Sequence, residues 1–410
     1  MKEWKEYRLG DIATIKGGKR LPKGINLIDV PNNHPYIRVR DLGHEKTLEL
    51  NSFYEYVDDE TQKFISKYIV NAGDIIISIV GTIGLIGIVG DTLDNANLTE
   101  NCVKVVDISN LEKEYLYYFL ISIYGQSEIK KGIVGAVQLK FPIKNIQNII
   151  IKAPNLLLQR KISNILQSLD DKIELNRCIN ENLEQQAQAL FKSWFVDFEL
   201  FKDGKFVDSE LGMIPEGWEI VETNKFMRIS KESINPTKNH NRLYAHYSIP
   251  AFDEASLPVF QYGNEIKSNK QKVLDNMTLV SKLNPRIKRV WFIDKACENA
   301  ICSTEFIPYL SLNNSPYFLY CYLNSDIFYD SIMSSVNGAT GSHQRFQAND
   351  TLKYLFPYNE EVIYKFNLIV SGILKQRSRL IKENQKLSQL RDTLLPKLMS
   401  GELKINDFNN

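Results

Sequence analysis

One stretch of about forty residues, without glycine or proline, constrains the fold of this chain more than any other feature. It runs from about Leu157 to Phe195 and follows Pro154. Within it, apolar and amide side chains recur at alternating steps of four and three residues, which is the pattern of a coiled-coil seam. The seam consists of Leu169, Ile173, Asn176, Asn180, Leu183, Ala187, Leu190 and Trp194. At ~1.5 Å per residue, such a helix is roughly 55–60 Å long and needs a partner helix.

A second stretch, from about Glu360 to Met399, supplies the partner. It repeats the seam, with an interruption near Glu383 and Asn384. Its seam positions are Ile369, Ile373, Gln376, Leu380, Leu387, Leu390, Leu394 and Leu398. One constant offset aligns Leu183 with Leu387 and Trp194 with Leu398, so we predict that these faces form helix or partner interfaces. Any two long helices share some apolar spacing, and the segments that precede them must decide the matter.

Those preceding segments are repeated as well. A tryptophan opens each segment, and a turn followed by an apolar strand, a tyrosine-rich helix and a polar loop come later in each. The matching pieces are Trp4 and Trp218, Asn71–Ile76 and Asp275–Val280, Tyr115–Ile123 and Tyr317–Asn324, and Gly135–Lys140 and Gly341–Arg345. Their offsets drift between about 202 and 214, as in a duplication with small insertions. The sequence therefore predicts two copies of a β-rich domain, each followed by a long helix.

Composition narrows the class of protein. The chain has 410 residues and a formal net charge of +1, so nucleic-acid binding has to come from local basic patches. Five cysteines form no CxxC pair and are typical of free thiols in a reducing cytoplasm. The uncharged stretch from Ile75 to Gly90 is shorter than a membrane span and contains four glycines, so we predict two buried strands joined by a turn.

Motifs for catalysis are missing or weak. The chain contains neither GxxxxGK[ST] nor GxGxxG, and its five histidines lack metal-ligand spacing. Residues 314–317, Asn-Ser-Pro-Tyr, resemble the NPPY tetrad of amino-methyltransferases, but they also fit the start of a helix. Asp253, Glu265 and Lys267 match a metal nuclease pattern only loosely. We predict no catalytic site, no metal site and no cofactor bound by this chain.

Basic and amide side chains cluster in the loops of both copies. Arginine, lysine, glutamine and histidine are the side chains that contact phosphates and base edges in a DNA groove. Any single cluster is more often solvated surface, but recurrence in both copies favours a DNA-binding role. The predicted DNA-binding residues are Lys16, Lys19, Arg20, Lys23, Arg38, Arg40, Gln138, Lys140, Lys238, Arg242, Lys282, Arg286, Lys288, Arg289, His343, Gln344 and Arg345.

Several of these motifs together resemble a known family. The chain is similar over nearly its whole length to the DNA-specificity subunits of type I restriction-modification systems. The motifs that carry the resemblance are Glu3–Trp4, Leu9–Ile12, Gly73–Ile76, Gln185–Phe198, Ile214–Trp218, Leu283–Arg286 and Leu390–Leu403. The second domain departs from the pattern at its opening, where residues 223–226 read Thr-Asn-Lys-Phe.

The resemblance implies an α+β fold, in which two mixed α/β target-recognition domains are separated by two long antiparallel coiled-coil helices in an internal pseudo-two-fold repeat. The expected domains are residues 1–155, a first helical region at 156–200, a linker with the second recognition domain at 201–359, and a second helical region at 360–410. These boundaries follow the two helices and the repeat.

The resemblance also implies a non-catalytic, cytoplasmic subunit that reads a bipartite, asymmetric site on double-stranded DNA. Its expected partners are two modification subunits, which bind S-adenosylmethionine, and restriction or translocase subunits. A stand-alone or fused N6-adenine DNA methyltransferase and a protein-only coiled-coil scaffold are the alternatives.

Overall fold

A computed structural model describes residues 4–43, 45–335 and 344–403 of the chain. Within it the chain divides into two compact units. Unit 1 comprises residues 1–175 and 384–410, and unit 2 comprises residues 176–383. Each unit therefore contains a β-rich part together with about half of each long helix, whereas the sequence pattern treats the helices as segments of their own.

The first half of the chain contains ten strands and six α-helices among the described residues. The strands are β1 (Lys5–Arg8), β2 (Thr14–Gly17), β3 (Pro35–Ile37), β4 (Thr47–Leu48), β5 (Glu55–Tyr56), β6 (Ile75–Ser78), β7 (Ile86–Val89), β8 (Asn97–Leu98), β9 (Cys102–Val106) and β10 (Ile150–Ala153). The helices are α1 (Leu9–Ile12), α2 (Asp59–Ile65), α3 (Lys113–Ile121), α4 (Ile123–Gly132), α5 (Ile143–Gln147) and the first long helix, α6 (Leu156–Phe195).

The second half continues with a short hairpin and a second set of strands. The strands are β11 (Phe206–Val207), β12 (Ile214–Pro215), β13 (Glu219–Glu222), β14 (Met227–Ile229), β15 (Ser233–Ile234), β16 (Leu243–Tyr247), β17 (Val259–Tyr262), β18 (Lys270–Lys272), β19 (Met277–Ser281), β20 (Val290–Ile293), β21 (Ala300–Cys302), β22 (Phe306–Ser311) and β23 (Leu355–Tyr358). The helices are α7 (Ile249–Ala255), α8 (Pro316–Asn324), α9 (Asp326–Ser335) and the second long helix, α10 (Glu360–Ser400).

Unit 1 is organised around a sheet with the strand order β2-β9-β6-β7-β4. Side chains alternate along a strand, and the central strand β6 is apolar on both faces. Ile75 and Ile77 join a core that includes Tyr115 of α3 and Leu166 of α6, whereas Ile76 joins a second core on the other face. Strands β6 and β7 pair antiparallel through a turn with Gly81 at positive φ, which confirms the two-strand interpretation of residues 75–90.

Unit 2 repeats this arrangement. Its sheet has the order β14-β22-β19-β20, which matches β2-β9-β6-β7 strand for strand. The starts of β6 and β19 are 202 positions apart, those of α3 and α8 203, and those of α6 and α10 204. In each unit a further antiparallel strand pair, β1 with β10 or β13 with β23, leads into the long helix. The predicted internal repeat is confirmed.

The two long helices are antiparallel, as the resemblance implied. In unit 1, Asp170 of α6 pairs with Arg391 of α10 at 2.8 Å. In unit 2, Glu184 pairs with Arg377 at 3.3 Å, and the ring of Trp194 lies 5.6 Å from that of Phe366. Later residues of α6 thus contact earlier residues of α10, so the two helices run in opposite directions. The α+β class, the repeat and the antiparallel helices together confirm the predicted fold class.

The buried face of α6 in unit 2 is wider than the predicted seam. Ala187, Phe191 and Phe195 are fully buried, while Leu190 and Trp194 are only partly buried at its flank. The Phe195 ring lies 5.1 Å from that of Phe318 on α8 and 5.2 Å from that of Phe366 on α10. The helix contacts the domain core as well as its partner helix. A seam with two positions in every seven residues is too narrow to contact both surfaces.

The other predicted interface positions differ in burial. Asn176, Leu380 and Leu398 are buried. Leu390, in contrast, is 47% exposed. The half-buried positions are Leu169, Ile173, Asn180, Leu183, Ile373, Leu387 and Leu394.

A tyrosine, a carboxylate and an arginine tie the domain to both long helices in each unit. In unit 1, the Tyr118 hydroxyl of α3 donates a 2.6 Å hydrogen bond to Asp170, whose other oxygen accepts from Arg391. Burial raises the pKa of Tyr118, so the hydroxyl remains a proton donor.

Unit 2 contains an equivalent triad. The Tyr320 hydroxyl of α8 donates a 2.6 Å hydrogen bond to Glu184, which also pairs with Arg377. Both carboxylates lie on α6 and both arginines lie on α10. Each triad therefore joins three separate chain segments through one carboxylate.

Asp170→Asn is expected to destabilise unit 1. It removes the charged acceptor of Tyr118 and leaves Arg391 with only the exposed Asp392, which costs roughly 2–3 kcal/mol for a mostly buried pair. The melting temperature of the corresponding transition should fall by about 4–10 °C in a thermal unfolding scan. Asp171→Asn, which changes the exposed neighbouring carboxylate, should move it by less than about 1 °C. Equal shifts for the two variants would contradict the role given to the triad.

Candidate nucleic-acid interface

Strands β2 and β6 end at one edge of the unit 1 sheet, and β7 and β9 begin there. The loops that follow or precede these strands therefore lie side by side. Backbone hydrogen bonds continue the pairing beyond the strands. Ile79 N–H donates to the carbonyl of Asn101 at 2.8 Å, and Gly18 N–H donates to that of Cys102 at 3.0 Å. We call residues 17–23, 79–85, 99–101 and 134–140 the first loop edge.

The loop 134–140 is fastened to this edge by its own backbone. Val134 and Lys140 exchange two N–H to carbonyl hydrogen bonds of 2.9 Å, and Lys140 also forms a β-bridge with Val80. Gly135 has φ of +107°, and a Cβ at this position would lie 2.4 Å from the carbonyl oxygen of Gln138. Glycine is therefore required for the turn, which leaves Gln138 and Lys140 exposed.

Four of the predicted residues come together at the first loop edge, namely Lys19, Arg20, Gln138 and Lys140. Lys23 follows in the same segment and is also exposed. Arg20 donates a 2.6 Å hydrogen bond to Glu100, and this bond raises the pKa of the guanidinium. The Lys19 ammonium lies 5.5 Å from the centre of the Tyr68 ring.

The remaining unit 1 predictions lie elsewhere or are neutralised. Lys16 approaches Asp107, which follows the far end of β9, at 4.0 Å. Arg38 and Arg40 both pair with the Glu55 carboxylate, Arg40 at 2.7 Å. Arg38 is only 26% exposed at its side chain. Its charge is thus used within the domain, which leaves less of it available to a ligand.

Unit 2 forms the same kind of edge. Lys282 N–H donates to the carbonyl of Glu305 at 2.9 Å, as Ile79 does to Asn101, and Leu283 forms a β-bridge with Arg345, as Val80 does with Lys140. Asn284 N–H also donates to the carbonyl of Gln344 at 2.9 Å. We call residues 282–289, 303–305 and 344–346 the second loop edge.

The second loop edge brings together Lys282, Arg286, Gln344 and Arg345. Arg286 is exposed and forms no ion pair with any described residue. Arg345 pairs with Glu305 at 3.0 Å, and this hydrogen bond lowers the pKa of the Glu305 carboxyl. The backbone frame is shared with unit 1, while most of the side chains on it differ.

Two further cations of this edge, Lys288 and Arg289, form ion pairs within the domain. Arg289 donates to both oxygens of Asp253, at 2.6 and 2.9 Å, and its side chain is only 11% exposed. Lys288 pairs with Asp326 at 2.5 Å and lies 4.9 Å from the centre of the Tyr329 ring. Arg289 is therefore part of the packing of unit 2.

Two predicted residues lie apart from the second loop edge. Lys238 and Arg242 precede β16, and it is the opposite end of this strand, at Tyr247, that receives a hydrogen bond from Ser303 of the loop edge. His343 lies outside the described residues.

The weak catalytic motifs have structural explanations. Pro316 is the first residue of α8, which confirms the helix-start interpretation of residues 314–317. Asp253 accepts a hydrogen bond from Arg289, and Glu265 accepts one from the backbone N–H of Tyr262.

Over the residues that the structure describes, no group of histidine, cysteine or carboxylate side chains is placed to hold a metal ion. Every helix of the described chain is too short or too polar to cross a bilayer.

The sequence pattern does not reveal two features of these edges. The first is the carboxylate beside each arginine, Glu100 with Arg20 and Glu305 with Arg345. These carboxylates are 205 positions apart, so an alignment of the two copies could have found them. The second is the exposure of two apolar side chains, Val137 and Leu139, beside Gln138.

Comparison with known proteins agrees with these observations. The family model described as "Type I restriction modification DNA specificity domain" matches residues 1–185. The type I restriction enzyme MjaIX specificity subunit of Methanocaldococcus jannaschii is 26% identical, over 99% of this chain and 95% of the relative. The HindI specificity subunit of Haemophilus influenzae is 24% identical, over 98% of this chain and its own entire length.

A solved structure shares the fold. The type I restriction-modification system S subunit from M. genitalium superposes with a TM-score of 0.56 at 16% identity, and the match covers 97% of this chain and 96% of that one. Full-length similarity to specificity subunits accompanies a repeated loop edge that carries basic residues in both units. Over nearly its whole length, the chain is similar to the DNA specificity subunits of type I restriction enzymes.

Proposed function

We propose that this chain reads a bipartite, asymmetric target on double-stranded DNA, with one loop edge on each half-site. The observation that carries the proposal is the repeated edge, where the bridge between Val80 and Lys140 recurs as that between Leu283 and Arg345. The same frame presents different side chains in the two units. Two similar readers with unlike contacts recognise two unlike half-sites, so the target is asymmetric.

The long helices set the spacing between the half-sites in this proposal. A helix rises ~1.5 Å per residue and B-DNA rises ~3.4 Å per base pair, so helix length translates directly into a number of unspecified base pairs. The paired carboxylates and arginines of α6 and α10 support this role, because they hold the two helices in one register.

The chemistry resides on partner subunits. We propose that two modification subunits, which bind S-adenosylmethionine and methylate adenine, dock on the helices, and that restriction or translocase subunits join the same complex. This chain then supplies recognition and scaffold in the cytoplasm. The five cysteines are not joined in disulfide bonds, which supports a reducing compartment. The alternatives of a stand-alone methyltransferase and a protein-only scaffold gain no support from the described residues.

Phosphate contacts are expected from Lys140 and Arg286, because both are exposed and neither forms an ion pair within the described chain. Replacement of either residue by alanine should lower the slope of log K against log salt by about 1. Binding of the complex with its modification subunits to duplex DNA, measured at several salt concentrations, gives this slope. Lys5→Ala changes an exposed lysine on β1 and is the matched control. An unchanged slope in both test variants would exclude these two contacts.

The DNA sequence that the chain recognises can be determined from the positions at which the genome is methylated. Co-expression of the chain with its modification subunits should produce N6-methyladenine within one split motif, two unlike half-sites separated by a fixed gap, in single-molecule sequencing. A continuous motif would mean that one unit is not used for reading. Absence of any motif would favour the protein-only scaffold.

Shortening both helices together should shorten the gap. Removal of residues 176–179 from α6 and residues 381–384 from α10 deletes roughly 6 Å from each while the antiparallel pair keeps its register. The expected result is a methylated motif whose spacer is about two base pairs shorter. Removal of residues 176–179 alone is the control, because it shifts the register of the pair and should abolish methylation. An unaltered spacer in the double deletion would show that the helices do not set the distance.

A further inference from the structure

The tip of the loop 134–140 exposes apolar side chains to an unusual degree. Val137 is 102% exposed, Leu139 52% and Val134 47%. Single exposed apolar residues are ordinary on protein surfaces. Here three of seven consecutive residues are involved, and they lie among the polar residues of the first loop edge.

The exposure is built into the loop. The two hydrogen bonds between Val134 and Lys140 close the turn at its base, and the left-handed Gly135 sets its direction. Just beyond the loop, Phe141 is fully buried, and its N–H donates to the carbonyl of Ile79 at 3.0 Å. The loop is anchored on both sides of its tip. Val137 is therefore held away from the core of unit 1 and is available to a ligand.

The neighbours of Val137 are those of a DNA-reading loop. Gln138 is adjacent and exposed, and Lys140 stands at the base of the loop on the edge that also carries Lys19 and Arg20. In the major groove, an apolar side chain contacts the 5-methyl group of thymine. A glutamine side chain donates its amide N–H to adenine N7, and its carbonyl oxygen accepts from the adenine N6 amino group. The two chemistries occur on opposite strands of an A·T base pair.

We propose that Val137 and Gln138 read A·T base pairs in the half-site bound by unit 1, with Val137 on a thymine methyl group and Gln138 on the major-groove edge of an adenine. Lys140 binds the adjoining phosphate. This inference rests on the proposed function and deepens it, since it names the bases that one loop recognises.

The test removes the methyl group from the DNA and the side chain from the protein. The complex with modification subunits is bound to its methylated motif with each thymine, in turn, replaced by deoxyuridine. One such replacement, within one half-site, should weaken binding roughly three- to five-fold, the effect of one buried methyl group. Val137→Ala should bind the thymine and deoxyuridine duplexes equally. Because Val137 is fully exposed, this substitution leaves folding intact.

Two controls accompany this measurement. Val30→Ala changes another exposed valine of unit 1, which is 70% exposed, and should keep the full preference for thymine. Gln138→Ala should remove the preference for adenine over 7-deazaadenine in the same half-site, while Val137→Ala retains it.

The outcomes separate the two levels of the proposal. A split motif in which no deoxyuridine weakens binding, or in which Val137→Ala retains the full preference for thymine, overturns the reading by Val137 but leaves the bipartite target in place. Absence of a split motif overturns the proposed function, and this inference with it.

Discussion

The fold depends on the need of a forty-residue amphipathic helix for a partner. Such a helix exposes an apolar stripe along its length, and only a second helix of the same length covers it. The chain provides α6 and α10, and each compact unit is completed by about half of each helix. The buried Asp170 and the partly buried Glu184 add direction to this packing, because each accepts a hydrogen bond from a tyrosine of the domain and pairs with an arginine of the other helix.

The two units have the same backbone arrangement at their loop edges but carry different side chains on it. Strand order, the bridges at the loop edge and the helix that follows are shared. The cations are not shared in detail, since Arg20 of unit 1 and Arg345 of unit 2 come from different segments but each pairs with a carboxylate at its edge. A frame fixed by backbone hydrogen bonds tolerates exchange of exposed residues, which is the property that a family of DNA readers needs.

Local and periodic features were predictable from the sequence. The helix bounds differ from expectation by about one residue, because no glycine or proline interrupts α6 and the apolar period continues along most of α10. The repeat followed from spacing alone. Long-range ion pairs were not predictable, so the engagement of Arg38 with Glu55 and of Arg289 with Asp253 could not be read from the basic clusters. The full burial of Phe191 and Phe195 was missed because it depends on the domain core as well as on the partner helix.

The placement of both triad carboxylates on α6 and both arginines on α10 has a consequence for synthesis on the ribosome. The first helix is complete well before the second one has been translated, and in that interval the first helices of two nascent chains could meet. The repeat aligns Arg391 with Ala187 and Arg377 with Ile173. An antiparallel pair of two first helices would therefore bury Asp170 and Glu184 against apolar side chains, without cations, at a cost of several kcal/mol. Because the carboxylates and the arginines lie on different helices, two first helices pair less favourably than a first helix with the second helix of its own chain.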